Sequence, residues 1–591
     1  MTTLPKLPYG LSNFHKLITE GHFYVDRTNY IAQLEAHGSY HVLMRPRRFG
    51  KSLFLSMLEH YYDQLRKPEF DALFGKLHIG RHPTPLANAY QVLVLDFSGI
   101  ETGNGIDTLR RGFTSKVTLP AINFLERYGY PESAQDVLRR LPSPQEQITL
   151  LCQYISRSGH KLLLLIDEYD HFANSLLAED LDAFRSAVGK GGFVRSFYET
   201  IKSATQAGTI DRFFITGVTA IMLDSLTSGF NIAENLTFEE DFHDILGFTR
   251  EETLALIRPL VEGCKLHADA VMEDVTHWYN GYRFHRRCHT IYNSDMVLYF
   301  AKKFDRKACA YPDRMLDENI ASDYGKLLAL FAIGNPEDNY RVLEALVTEG
   351  EVIAQQQRRF DLDKAFGRDD FISLLAYVGF ASLVSAQSDR MRYAIPNHVI
   401  RELYFQYFLV ELERRNQLVL PMHELADALY ALSGSNNIEP LRAQLERVLR
   451  HLSNRDSIRM DEKHLKVILI TLLFQTSVWF LQSEPEVNRR YPDVLLRERS
   501  PFELAGQHLI ELKYAKKQDG EAGWEAKRQE GLEQIATYRA LPEIAAMAKL
   551  HCWLMLTDGE RVEVVEPHAH ASLTPANSAP SRSDWTDQNS L

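Results

Sequence analysis

The chain has 591 residues, enough for several domains, and its 45% hydrophobic and 24% charged residues are those of an ordinary globular protein. A net charge of −12 excludes a uniformly basic nucleic-acid coat while leaving room for a local basic groove, and no apolar run is long enough to span a bilayer. The five cysteines (152, 264, 288, 309 and 552) are scattered at no zinc-ligand spacing, and Met1–Lys6 has no apolar leader core, so a reducing cytoplasm is the expected location.

In chain order, an entry segment of about residues 8–34 comes first. Within it Phe23–Val25 reads as a short strand, followed by a helix N-cap at Asp26 or Thr28. His41–Met44 is a short apolar strand, and a helical pattern starts after Ser52. Between them stands Arg45-Pro46-Arg47-Arg48-Phe49-Gly50-Lys51-Ser52, the end of a phosphate-binding P-loop. Gly50 lets backbone approach a phosphate oxygen, and the N–H groups opening the helix point at the anion. Lys51 reaches the β- and γ-phosphates of ATP, and the Ser52 hydroxyl sits on Mg²⁺. Arg48, Phe49, Gly50, Lys51, Ser52 and Leu53 are the candidate nucleotide contacts. The first glycine of the general pattern is Arg45 here; Pro46 stiffens the turn instead, by fixing φ.

Gln91–Ser98 is a second apolar strand, and helical patterns fill the chain to Ile155. Leu162–Ile166 is a continuous apolar run, the mark of a central parallel strand, and it ends in Asp167-Glu168-Tyr169-Asp170. Carboxylates at that end of a strand lie where open α/β sheets bind ligands. Asp167 is the candidate for the Mg²⁺ shell and Glu168 for the base that orients and deprotonates water. The next strand, Phe213–Val218, carries Thr216, which is either a γ-phosphate sensor or a strand-end residue capping a turn. After a polar, acidic stretch, Thr249 and Glu252 form a capping box opening helices that read as a lid. His277–Phe284 is an aromatic-rich packed turn, with Arg283 a candidate to reach the nucleotide. His277, His285, Cys288 and His289 fit no zinc spacing.

Leu7-Pro8-Tyr9-Gly10, Phe23–Thr28, Arg45–Ser52, Ile166–Asp170, Thr216-Gly217-Val218, Ser228–Asn231 and Trp278–Phe284, in that order, resemble the prokaryotic AAA-ATPase-like family over about the first half of the chain. The resemblance implies an additional-strand P-loop ATPase core in which Arg-Pro-Arg-Arg-Phe is the family's own form of the loop. It also implies a C-terminal nuclease domain of the PD-(D/E)XK superfamily, which members commonly carry.

Residues 302–420 read as mostly helical. A helix ends near Gly379, a hairpin turns at Gln387-Ser388-Asp389, and another helix opens at Pro396-Asn397. That is a winged-helix-like order, suited to DNA, to protein or to a lid. In the last folded part, Pro492-Asp493 and Glu511-Leu512-Lys513 match the Pro-Asp…Glu-x-Lys pattern of the nuclease superfamily. Asp493 and Glu511 are expected to converge at a shared sheet edge and hold Mg²⁺ through hard oxygens. Lys513, on the same face as Glu511, would act on water or on phosphorane-like charge. Gln534 and Tyr538 share a helix face, as such a pair does in some superfamily members, and Glu462 is a further candidate carboxylate. Lys513, Lys516, Lys517, Lys527 and Arg528 form either a positive strip for a phosphate backbone or, with Glu521, Glu525 and Glu530, a charge-mixed surface.

The expected fold class is α/β throughout: a P-loop domain with lid over 1–300, a helical and winged-helix-like region over 301–421, a restriction-endonuclease-like domain over 422–567 and a disordered tail over 568–591. The expected function is an ATPase coupled to an Mg²⁺-dependent nuclease acting on DNA. The competing readings are a nucleotide-switched regulator that binds nucleic acid without cutting it, and a protein-remodelling ATPase. No membrane partner is expected. Arg212, Arg250 and Arg283 are the arginine-finger candidates, leaving a homo-oligomer open.

Overall fold

The structure, a computed structural model, describes residues 6–222, 230–325, 327–360, 366–453, 461–483 and 492–567; the tail and the Ser228-Gly229 pair lie outside them. The chain divides into two compact units, Met1–Arg414 and Arg415–Leu591.

The first unit is built on a five-stranded parallel sheet: β1 (Tyr40–Met44), β2 (Gln91–Asp96), β3 (Leu162–Asp167), β4 (Ile210–Gly217) and the short β5 (Glu234–Asn235), in the order β2-β3-β4-β1-β5. Leu162–Ile166 are almost wholly buried, as a central strand covered on both faces requires. β4 is inserted between the P-loop strand β1 and the acid-bearing strand β3, which is the additional-strand arrangement. Its register sets Leu43 beside Thr216 and Ile166 beside Ile215, so the carboxyl ends of β1, β3 and β4 finish together.

Phe23–Val25 forms no strand; the segment is held through one bridge, Lys6 to His22. The helix Asn29–His37 starts from Thr28, whose hydroxyl does not cap it: it donates to Asp26 at 2.6 Å and accepts from the Ile79 amide at 3.1 Å. The capping box at Thr249 and Glu252 is present and opens the helix Arg250–Val261. Cys264 and Cys309 are joined by a disulfide with Cα atoms 5.6 Å apart, so the cysteines do not argue for a reducing compartment.

Farther on, the helix Pro336–Thr348 leads to β6 (Glu351–Gln355), the helix Arg368–Val378, then β7 (Ser382–Gln387) and β8 (Arg390–Ala394), which pair antiparallel in the order β6-β8-β7. Gly379 ends its helix at φ +85°, and Ser388 turns the hairpin at φ +58°. This helix–strand–helix–hairpin order is winged-helix-like, and β6 is a strand the sequence pattern did not show.

The second unit holds a five-stranded sheet, β9 (Trp479–Ser483), β10 (Val494–Glu498), β11 (Gln507–Tyr514), β12 (Leu550–Thr557) and β13 (Val562–Val565), in the order β13-β12-β11-β10-β9. Only the β11–β12 pair is parallel. The helix Gly520–Arg539 packs on β11 and β12 over a core of Leu495, Leu509, Ile535, Tyr538, Cys552 and Leu554. The helix Glu462–Leu473 packs on β11. Asp493 and Glu511 therefore meet at the junction of two interior strands and not at a sheet edge.

Candidate active sites

In the first unit, β1 delivers the loop 45–50 into the helix Lys51–Tyr62. Gly50, at φ +94°, is the N-cap, a conformation open to glycine at little cost. Arg48 also has positive φ, +68°. The loop borders a cavity of about 520 Å³, a size typical of small-ligand sites. Gly50, Lys51, Ser52 and Glu168 line its polar part; Leu11, Tyr24, Ile245, Phe248 and Leu298 supply apolar wall.

Lys51 is buried, and its ammonium donates to the carbonyls of Arg45 (3.0 Å) and Pro46 (2.9 Å). Burial lowers its pKa, opposed by the charges of Asp167, Glu168 and Asp170, which places those carboxylates around it. Asp167 Oδ1 accepts from the Thr216 hydroxyl at 2.5 Å and from the Glu168 amide at 3.0 Å. Thr216 is fully buried and does not reach the cavity wall; its hydroxyl orients Asp167. Glu168 stands at the wall in a left-handed conformation, φ +48°, of the kind that costs energy for a non-glycine residue. Its pKa is raised, by burial first, against the pull of Lys51 and with the push of Asp167. Asp170 is committed elsewhere: it accepts from Asn174, from the Val218 and Thr219 amides and from the Thr219 hydroxyl.

Arg45 is the residue whose role the sequence concealed. It is fully buried, and its guanidinium donates to the carbonyls of Met44, Thr237 and Phe242 at 2.8–3.0 Å and stacks 3.9 Å from the Phe284 ring centroid. It pins the loop to residues 237–243. Arg45→Gly, which restores the general P-loop pattern on paper, is expected to destabilise the unit. Each buried carbonyl left unpaired costs about 1–3 kcal/mol. A thermal midpoint equal to the parent's would refute that role.

Arg48 is held by Asp323 (2.7 Å) and Asp295 (3.3 Å), and Phe49 is buried against Tyr282 and Phe284, so what Phe49 offers a nucleotide is backbone. Leu53 lines the cavity. Arg283 donates to the Val384 carbonyl of the hairpin and is absent from the cavity wall; Arg212 donates to Gly38, and Arg250 approaches Thr276.

In the second unit, Pro492-Asp493 leads into β10, whose register sets Val494 against Ile510 and so brings Asp493 beside Glu511. Asp493 Oδ2 accepts from the Leu512 amide at 2.9 Å, and Lys466 Nζ lies 3.6 Å from its Oδ1. Glu511 is buried; its Oε1 takes Lys513 Nζ at 2.8 Å, while Oε2 is buried without a hydrogen-bond partner. Burial, then the charge of Asp493, pushes the Glu511 pKa up to about 7 against the pull of Lys513. Burial works against the charge on Lys513, but Glu511 and Glu462 hold its pKa above the ordinary value. Glu462 and Glu530 stand 3.6 and 4.0 Å from its ammonium. Two crowded carboxylates, one with an orphaned oxygen, are a donor set that fits a hard divalent cation.

The helix Gly520–Arg539 comes close at Gly531, where a Cβ would sit 2.3 Å from Leu554 Cδ1 and 3.2 Å from Lys513 Cγ. Gln534, one turn on, has a buried Oε1 without a partner, whereas Tyr538 belongs to the core. The basic strip is charge-mixed: Lys517 pairs with Glu560, Lys527 with Glu530 and Arg528 with Glu563.

A family model described as "Predicted AAA-ATPase" matches residues 8–227, and that of the PD-(D/E)XK nuclease superfamily matches residues 460–567. Residues 8–227 are thus an AAA-ATPase-like segment and residues 460–567 a segment like the PD-(D/E)XK nuclease superfamily. An uncharacterized protein in the vnfD 5′ region of Azotobacter chroococcum mcd 1 is 27% identical over 307 residues, 50% of this chain and 52% of that one; the chain thus spans about half the length of this curated relative. Among solved structures, the Walker-type ATPase PABY2304 of Pyrococcus abyssi aligns with 68% of this chain and 99% of its own at 10% identity and a TM-score of 0.38. The ORC2 protein of Aeropyrum pernix aligns with 69% and 97% at 10% identity and 0.28.

In the AAA-ATPase-like segment, the sequence reading missed His171, which lines the cavity. In the nuclease-superfamily segment it missed Lys466, although Glu462 and Lys466 stand one helical turn apart, a spacing that brings both to the strand bearing Glu511.

Proposed function

We propose that the chain binds and hydrolyses ATP at the P-loop and cuts DNA at the Asp493–Glu511–Lys513 cluster, the first activity governing the second. The observation carrying the nuclease half is the buried, unpartnered Oε2 of Glu511 beside Asp493. At the ATPase site Gly50, Lys51 and Ser52 hold the phosphates, and Ser52 and Asp167 would hold Mg²⁺, which supplies positive charge against the phosphates. Glu168 orients a water and takes its proton as the water oxygen attacks the γ-phosphorus and the bond to the bridging oxygen breaks; its raised pKa suits a base. Thr216 keeps Asp167 in place. At the second site Asp493 and Glu511 would hold Mg²⁺, which supplies a Lewis acid for the phosphodiester. Lys513 stabilises charge on the phosphate or holds the attacking water, and Gln534 would help orient it. ATP as ligand points to the cytoplasm; among the described residues no helix is long and apolar enough to cross a membrane.

Plasmid cleavage with Mg²⁺ or Mn²⁺, with and without ATP, tests this reading. Cleavage that depends on both sites supports it. Nucleotide-dependent DNA binding without cleavage supports a nucleotide-switched regulator instead, a reading favoured by the two lysines already neutralising the cluster. Lys51→Ala is expected to weaken ATP binding at least about tenfold, since a charge-assisted contact of about 1.5–3 kcal/mol is lost; undiminished affinity in a titration with labelled ATP would refute the P-loop assignment.

A further inference from the structure

We propose that His243, Asp244 and His289 form a binding site for a transition-metal dication of the zinc class, distinct from both Mg²⁺ sites. His243 and Asp244 lie in the 3₁₀ turn Glu240–Ile245, and His289 lies in the loop between Tyr282 and Ile291, which bridge to each other. Packing of these two segments brings the ligands together across 46 residues of sequence.

The spacing fits a small coordination sphere. One ligand atom from each residue lies within 4.8 Å of the other two. Asp244 Oδ1 is 3.2 Å from His289 Nε2 and 3.7 Å from His243 Nε2. Bonds of about 2.0–2.2 Å to a tetrahedral centre set neighbouring ligand atoms about 3.3–3.6 Å apart. The carboxylate is also poorly served without an ion. Asp244 Oδ1 is buried and accepts no hydrogen bond. A buried imidazole is held neutral, the form that ligates a metal. His243 Nε2 now lies 2.9 Å from the His289 carbonyl, a contact that binding through Nε2 would replace. His289 is 53% exposed, giving an entry path and leaving the fourth position to water.

Two imidazoles and one carboxylate select zinc, copper or nickel over magnesium, whereas the hydroxyl and carboxylate oxygens of the other two sites favour hard cations. The position also gives such an ion a structural consequence. The carbonyls of Phe242 and His243 accept from the guanidinium of Arg45, and Ile245, Leu246 and Gly247 form cavity wall. An ion tying residues 243–244 to 289 therefore braces the support of the P-loop.

The test uses the full chain, free of any affinity tag and stripped with a chelator. It is titrated with Zn²⁺ against a chromogenic competitor in excess Mg²⁺, and separately with Co²⁺ while visible absorption is followed. The expected result is one tight equivalent of Zn²⁺, visible Co²⁺ bands and a raised thermal midpoint. His289→Ala and Asp244→Asn should each weaken Zn²⁺ binding by more than about tenfold. Because His289 is exposed, its variant is expected to fold, and an unchanged far-ultraviolet spectrum checks this. Asp493→Ala and Cys288→Ser should bind as the parent does. No tight equivalent in the parent, an affinity unchanged in both ligand variants, or an equivalent lost with Cys288→Ser or Asp493→Ala would each overturn the proposal.

Discussion

Glu168→Gln is expected to slow ATP turnover by about 10²–10⁴-fold, the usual contribution of a positioned general base, while ATP stays bound. The amide keeps the shape of the side chain and removes the proton acceptor. Backbone geometry should survive, because the left-handed turn at Glu168 is fixed from either side: its own amide donates to Asp167, and the Tyr169 amide donates to the Thr216 carbonyl at 3.1 Å. The neighbouring carboxylate of Asp170 is not free to substitute. Asp170 is only 1% exposed, and its oxygens are taken by two backbone amides and the side chains of Asn174 and Thr219. Single-turnover hydrolysis together with labelled-nucleotide binding separates the two steps. Parental turnover with intact binding would sink the assignment of Glu168 as base. Thr216→Val offers a second reading of the same centre. It removes the hydroxyl that holds Asp167 Oδ1, so the Mg²⁺ dependence of turnover should shift to higher concentration before the maximal rate falls.

The parts of the ATPase core that were legible in the sequence share one cause. β1, β3 and β4 are interior strands of a parallel sheet, and β2, although it stands at the sheet's edge, is buried at Val92, Leu93 and Leu95, so each appears as an apolar run that needs no partner to identify it. The short strands β6 and β9 were hidden for the opposite reason. β6 is exposed at alternate positions, and both lie at the edges of their sheets, where five residues give too little pattern. Arg45 read as a missing glycine because its partners, Thr237 and Phe242, stand about two hundred residues downstream. Lys466 lies in an apolar helical run and acquires meaning only when the fold sets its ammonium beside Asp493. The disulfide between Cys264 and Cys309 was equally invisible, since 45 residues of separation carry no pairing rule. Asp493, Glu511 and Lys513 were picked out through their match to the superfamily's pattern; the period-2 rule sets the last two on one strand face, and the fold pairs that strand with the one Asp493 precedes.

Asp493→Ala is expected to abolish Mg²⁺-dependent DNA cleavage while ATP hydrolysis continues, because it removes a metal ligand from one unit and leaves the P-loop unit untouched. Lys513→Ala should also abolish cleavage, but by a different route that pH can expose. Glu511 is pushed up to about 7 by burial and by Asp493, with Lys513 pulling the other way. Removing the lysine therefore raises the Glu511 pKa further, and Mg²⁺ binding, which needs the carboxylate, should move to higher pH in this variant rather than vanish. In the parent, apparent Mg²⁺ affinity and cleavage should both rise as pH passes about 7. The same shift has a stability consequence of definite sign. A carboxyl whose folded pKa lies above its unfolded one binds more protons when folded, so without metal the unit loses stability as pH climbs from the ordinary carboxylate range to about 7. Glu511→Gln removes that loss. At pH about 8 and without metal, it should melt above the parent and gain nothing from added Mg²⁺. A metal-free Glu511→Gln variant that melts below the parent at that pH would contradict the buried-carboxylate account. Cleavage persisting at the parental rate in both Asp493→Ala and Lys513→Ala would place the nuclease activity outside this cluster.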